Sequence, residues 1–267
     1  MKRLFDFYVT LTKIAVLTQF QYPVANYFYM IGMIAEPVIY LVVWSAVANA
    51  QGGQVGGYTP GQFAGYYIVW TLVRNMNIVF TPFGWERRIR QGQLAGELMR
   101  PIHPLHGDVA YFIGWKIVVI VLWLPLAAFL AWVFRPDFQP TLLGAVVFGI
   151  AIWGAYLIRT MLLSLLGMIT FWTTRVNAIY EMYFALELLL SGRLVPLALM
   201  PDWVQTITTY LPFRYAFGFP IEALVGNLST PELLAGLGMQ LFWILAGIGL
   251  VNIVWQFAIR KFSSVGG

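Results

Sequence analysis

No cysteine occurs in the 267 residues, so disulfides and thiol chemistry are excluded and the redox compartment stays open. Charge is also scarce. Asp, Glu, Lys and Arg together make 10% of the chain and hydrophobic residues 60%, where an ordinary soluble domain carries about 25% charge and about 45–50% apolar residues. No G-x-x-x-x-G-K-[ST] is present, so the chain does not bind ATP through a P-loop. G-x-S-x-G is missing as well. The two histidines, His103 and His106, stand with only Asp108 nearby, and Pro104 between them disturbs helical spacing, so no metal site is expected. No histidine falls in an apolar run, as an intramembrane hydrolase would need, and catalysis is not expected. The net charge of +5 comes from residues scattered along loop ends, which excludes a basic nucleic-acid surface.

What is present is apolar length. Runs of about 20–28 residues suit membrane-crossing helices, whereas barrel strands alternate over about ten residues. The expected fold is an all-α integral membrane protein with six spans, at roughly 24–48, 62–83, 109–134, 141–169, 176–192 and 235–259. Residues 1–23 precede the six-span body of 24–267. Lys2, Arg3, Asp6 and Lys13 interleave there with aromatics, which suits an amphipathic helix lying in the lipid headgroups. Ala48-Asn49-Ala50 resembles a leader cleavage site, but the run before it is too long for a leader core and Glu36 interrupts it, so the first span is expected to be retained.

Lys and Arg set the orientation. One side collects Lys2, Arg3, Lys13, Arg87, Arg88, Arg90, Arg100, Arg175, Arg260 and Lys261, with Lys116 at the inner end of the third span; the other has Arg135, Arg193 and Arg214. Ten against three predicts a multi-pass protein of the cell membrane with both termini cytoplasmic. No internal repeat is visible, which weakens an inverted-repeat transporter. Residues 193–234, with Pro196, Pro201, Pro212, Pro220 and Pro231, are too broken to cross and read as short helices that dip into the outer leaflet against protein, the alternative being a loop anchored at the interface by Trp203 and Tyr210.

Five charges fall inside apolar runs: Glu36, Arg74, Arg159, Glu181 and Glu187. An unpaired charge at mid-membrane costs about 2.5–3.5 kcal/mol on insertion scales, so these residues are expected to pair or to face water. A hairpin turning near residue 55 sets Glu36 level with Arg74. A second, turning near residue 173, sets Arg159 opposite Glu187, with Glu181 the alternative partner. Such pairs either make the helices insertable or line a translocation path.

Between the second and third spans lies GELMRPIHPLHGD, Gly96 to Asp108. In LAGELMRPI, residues Leu94, Ala95, Leu98, Met99 and Ile102 form one apolar stripe, with Glu97 and Arg100 off it. Pro101 and Pro104 are expected to end this helix. Two turns are marginal alone in water, so the helix needs a surface, either lipid or a docked protein.

Gly92, Leu94, Leu98, Arg100, Pro101, Pro104 and Leu105 form a G-x-L-x-x-x-L-x-R-P-x-x-P-L loop that resembles the first cytoplasmic loop of ABC-2 type transporter permeases, nearest the viologen-exporter-like subgroup. Ser191-Gly192-Arg193 with Pro196, then Pro201-x-Trp203 and Leu211-Pro212-Phe213-x-Tyr215, resemble its second half. The resemblance implies an exporter half, paired with an identical or related second permease in the bilayer. It implies a separate nucleotide-binding ATPase subunit that carries ATP and Mg, with no cofactor on this chain. Leu94, Leu98, Met99, Arg100 and Ile102 would then be the coupling helix that docks the ATPase. The competing reading is an ion-coupled secondary transporter or channel driven through the buried charges.

Overall fold

The computed structural model describes residues 2–21, 23–137, 140–173, 176–226 and 228–262, so Arg175, counted above with the inner charges, lies outside the described residues. Every regular element among them is helical: α1 (Lys2–Gln21), α2 (Pro23–Ala50), α3 (Pro60–Met76), α4 (Pro82–Arg90), α5 (Gln93–Leu98), α6 (Pro104–Phe134), α7 (Leu142–Met168), α8 (Asn177–Leu190), α9 (Asp202–Thr208), α10 (Pro212–Ala216), α11 (Gly218–Val225) and α12 (Thr230–Ala258). Among the described residues, four stretches are long and apolar enough to cross a membrane, Val24–Ala50, Pro104–Phe134, Leu142–Phe171 and Thr230–Lys261.

The other two expected spans are shorter than 62–83 and 176–192. α3 stops at Met76 because Asn77 leaves helical geometry and Thr81 caps a new helix whose first residue is Pro82, a residue that cannot donate a backbone hydrogen bond. With 17 residues α3 is about 25 Å long, and the 14 of α8 make about 21 Å, against a hydrocarbon core of about 30 Å. Pro104 also departs from expectation. It opens α6 instead of ending a helix, with His103 as its N-cap, since a first-turn amide needs no helical partner. Lys116 therefore sits three turns inside α6 and not at its end.

α3 is the axis of the fold. Thirteen of its 17 residues are buried, because α2, α6, α7 and α11 pack around it. That enclosure explains how a helix carrying Gln62, Thr71, Arg74 and Asn75 belongs in an apolar protein: its polar groups meet protein. α7 and α12 form a second tight pair. A Cβ on Gly154 would lie 2.6 Å from Gln240 Oε1, and one on Gly247 would lie 2.8 Å from Met161 Cβ, so small residues let the helices touch. Gln240 then donates to Ala151 O at 3.0 Å and Tyr215 O at 2.9 Å, hydrogen-bonding α12 to α7 and α10. α1 lies along α6, where Gly114 accepts its backbone closely: a Cβ there would be 2.5 Å from Thr12 O. Residues 193–226 fold as short helices, and Gly218 N–H bonds back to Ser191 O at 2.9 Å.

Candidate functional site

Two polar constellations stand out from the apolar body. The first begins at α2 and α3, where Arg74 Nη2 lies 2.7 Å from Glu36 Oε2 and Tyr40 Oη donates to Glu36 Oε1 at 3.3 Å. On α7 and α8, Arg159 grips Glu187 through Nε and Nη2 at 2.9 and 3.0 Å, and Tyr183 Oη donates to the same carboxylate at 3.3 Å. Arg193 joins the two pairs, 3.2 Å from Glu187 and 3.7 Å from Glu36. The result is one alternating string, Arg74–Glu36–Arg193–Glu187–Arg159. Trp70 lies under Arg74 and Arg193 at 5.3 and 5.9 Å, and Phe217 under Arg159 and Arg193 at 5.4 and 5.2 Å, so aromatic faces cover the guanidinium planes.

The structure thus brings together four of the five intramembrane charges named from sequence. Glu181 lies exposed on α8 and makes no ion pair among the described residues. The charge that was missed is Arg193, which reads in sequence as a loop-end residue. Its place follows from the turn after α8. Gly192 takes φ +85, and the α3 tyrosines hold the chain on both sides, Tyr66 Oη donating to Gly192 O at 2.7 Å and Tyr67 Oη to Leu194 O at 3.0 Å. Left-handed backbone of this kind favours glycine. A Gly followed by Arg a short step past a buried Glu was the available signal.

Because Glu36 also meets Arg193, the Glu36–Arg74 pair is open to a direct measurement. Glu36→Ala and Arg74→Ala are each expected to lower the thermal midpoint in detergent, and the double variant to cost about 0.5–3 kcal/mol less than their sum. Strict additivity would show that the two do not interact.

The second constellation surrounds α5. Arg88 of α4 makes a bidentate bond to Asp108 of α6, Nη1 to Oδ2 at 2.9 Å and Nη2 to Oδ1 at 2.7 Å, and its Nε lies 3.3 Å from Glu97 of α5. Its guanidinium lies over Phe80 at 4.1 Å and Trp85 at 4.9 Å. One buried arginine therefore joins three helices, a role that nothing in ERRIR distinguishes from that of Arg87 or Arg90. Burial pushes the Glu97 carboxyl above its usual range, with Arg88 opposing the shift. His103, whose ring lies tilted against Trp255 with centroids 4.3 Å apart, is lowered to about 4 by burial and by His106. It is therefore neutral at pH 7, and since its Nδ1 accepts from Leu105 N–H at 3.2 Å, the proton is on Nε2.

The stripe read from sequence divides here. Leu94 is fully buried against the body of the chain, whereas Met99 is 87% exposed. Leu98 and Ile102 are half-buried and Arg100 is exposed. Positions 94 and 99 lie about 140° apart around a helix, at the two edges of the stripe, and α5 ends at Leu98 between them, so one turns inward and the other outward. Leu94 anchors α5 to its own chain and is not free to meet a partner.

Lys116 lies between the two constellations. It is fully buried, donates to Ile78 O in the α3–α4 connection, and is ringed by Phe112, Trp115 and Tyr156 at 5.0, 5.0 and 4.8 Å. Beside Ile78 in the chain, Asn77 O accepts from Arg159, and Asn77 Nδ2 donates to Ala216 O. Polar contacts therefore run from α5 through Arg88, α6, the α3–α4 connection and α7 to the string.

No group of three or more metal-ligating side chains occurs among the described residues, and neither constellation pairs a nucleophile with a base. A family model described as an ABC-2 family transporter protein matches residues 34–266. The chain belongs to the ABC-2 transporter family, and so is a permease, a transport subunit of an ABC transporter, in a family that generally works with an ATPase subunit. Among curated proteins, none matches the chain.

Proposed function

We propose that this permease forms half of an ATP-driven exporter, close to the viologen-exporter-like subgroup, in which a separate ATPase subunit docks on α5. ATP and Mg bind on that subunit, and a second permease, identical or related, completes the path in the cell membrane. The observation that carries the reading is the clamp. α5 presents Met99 and Arg100 outward while Arg88 fixes it to α4 and α6, so a push on α5 moves the start of α6. The contacts through Lys116, Asn77 and Arg159 extend that movement to α3, α7 and α8. The closed charge string supports this over ion coupling. Glu36 and Glu187 each meet two arginines, whereas a proton- or cation-coupled carrier needs a carboxylate free to exchange its ion.

In this reading α3 and α8 complete six crossings within the protein, each continued by the connection that follows it, and both termini lie in the cytoplasm. Single cysteines at Gln54 and Asp137 should react with an impermeant thiol reagent added to intact cells, and one at Gln93 should not; labelling of Gln93 would reverse the topology. The function itself is tested by co-expression with a candidate ATPase subunit of an ABC transporter. The two should purify together, and transport in vesicles should require hydrolysable ATP and survive dissipation of the ion gradients. Transport that collapses with the gradients and ignores ATP would establish the ion-coupled carrier instead.

A further inference from the structure

The charge string is sealed at one end and open at the other. The Glu36 and Arg74 side chains keep 31% and 22% of their surface exposed and Arg193 keeps 16%, whereas Glu187 keeps 1%. Glu36 stands half-way along the 28 residues of α2, about 20 Å from either end. When α2 crosses the bilayer, the open end is therefore at mid-membrane depth. Charges turned to acyl chains there are costly, so this end has to face water or a polar ligand. The string holds three arginines and two glutamates, an excess of one positive charge. Its border is apolar. Tyr29 and Val43, both exposed, share the face of α2 that carries Glu36, two turns to either side of it.

We propose that this open end lines the translocation path and receives the anionic headgroup of an amphiphilic cargo, whose tail lies along the apolar face of α2. A guanidinium carries five N–H donors, more than one carboxylate takes. Arg74 and Arg193 can therefore hold Glu36 and a second anion together. The excess charge favours a singly negative group, such as a carboxylate or a sulfonate, and opposes a cation. Mid-membrane depth sets the site apart from the headgroups of the surrounding bilayer lipids, which stay at its two surfaces. The inference rests on the exporter reading for its path and cargo, but the binding itself needs no ATPase.

The test is equilibrium binding of three probes with the same tail, dodecyl sulfonate, dodecyltrimethylammonium and dodecanol, to the purified full chain in neutral detergent. The sulfonate should bind about tenfold more tightly than either other probe, the scale of one hydrogen bond to a charged group. Arg74→Gln brings the string to neutrality, and the preference should fall toward one. Glu36→Gln adds a second excess positive charge, and the preference should rise. A fold defect would lower both, so opposite shifts in variants with unchanged elution profiles identify binding; if one variant does not fold, the other decides. Equal binding of the three probes by the native chain, or a folded variant that leaves the preference unchanged or moves it the other way, would overturn the site. Displacement of the sulfonate by an equal concentration of inorganic phosphate would also overturn it, in favour of a free anion. Because no ATPase is present, transport that proves independent of ATP would sink the exporter reading, while failed binding beside intact ATP-driven transport would sink this site alone.

Discussion

Glu187→Ala is expected to be the most damaging single substitution in the chain. The carboxylate is 1% exposed and is shared by Arg159, Arg193 and Tyr183. Removing it leaves two guanidinium groups facing each other in an apolar surround, with no anion paired to either among the described residues other than Glu36, which already serves Arg74. Truncating one member of a buried ion pair costs about 3–5 kcal/mol, most of it the penalty of the charge left behind. Thermal unfolding of the purified protein in detergent, read by fluorescence, should show a midpoint lowered by several degrees or no folded fraction. A second variant separates stranded charge from lost packing. Arg159→Met with Glu187→Leu removes both charges and fills the space, so it should recover much of the loss. If Glu187→Ala unfolds no earlier than the native protein, the string has no structural weight and its arginines must be hydrated.

Met99→Asp should have the opposite profile, a folded permease that does not transport. Met99 touches little of its own chain, being 87% exposed, so a charge there costs almost nothing in stability. If it is the anchor that enters the ATPase, its replacement should weaken docking by about 2 kcal/mol or more, about 30-fold in affinity. Co-purification of the ATPase should fall to match, and transport with it, while insertion and thermal midpoint stay unchanged. Gln91→Ala, on an exposed side chain just before α5, should alter neither. Leu94→Asp makes a useful contrast. It introduces a charge at a fully buried position and should destabilise the permease itself. A Met99→Asp protein that retains ATPase and exports at the native rate would remove α5 from the docking surface.

Much of this organisation was legible from local pattern. Hydropathy alone places the four long helices, because a bilayer asks only for length and apolar content. The Glu36–Arg74 and Arg159–Glu187 pairs follow from counting residues on either side of a turn, since a helical hairpin puts equal distances from its bend at equal depth. Two shorter elements were overdrawn. Apolar composition continues beyond Met76, but Asn77 and Pro82 break the helix, and hydropathy averaging does not register hydrogen-bond geometry.

The sequence by itself determined that the chain is a helical membrane protein, that it carries no P-loop, and that the charges within its apolar runs needed partners or water, because each of these depends on residue type and spacing along one chain. Only the tertiary structure decided that Arg193 links two ion pairs into one string, that Arg88 and not Arg87 or Arg90 clamps three helices, and that Leu94 turns inward while Met99 turns out. Those outcomes depend on which helices lie side by side and how a glycine turn or a helix end aims a side chain. That information is held between segments far apart in the chain, where no local periodicity can carry it.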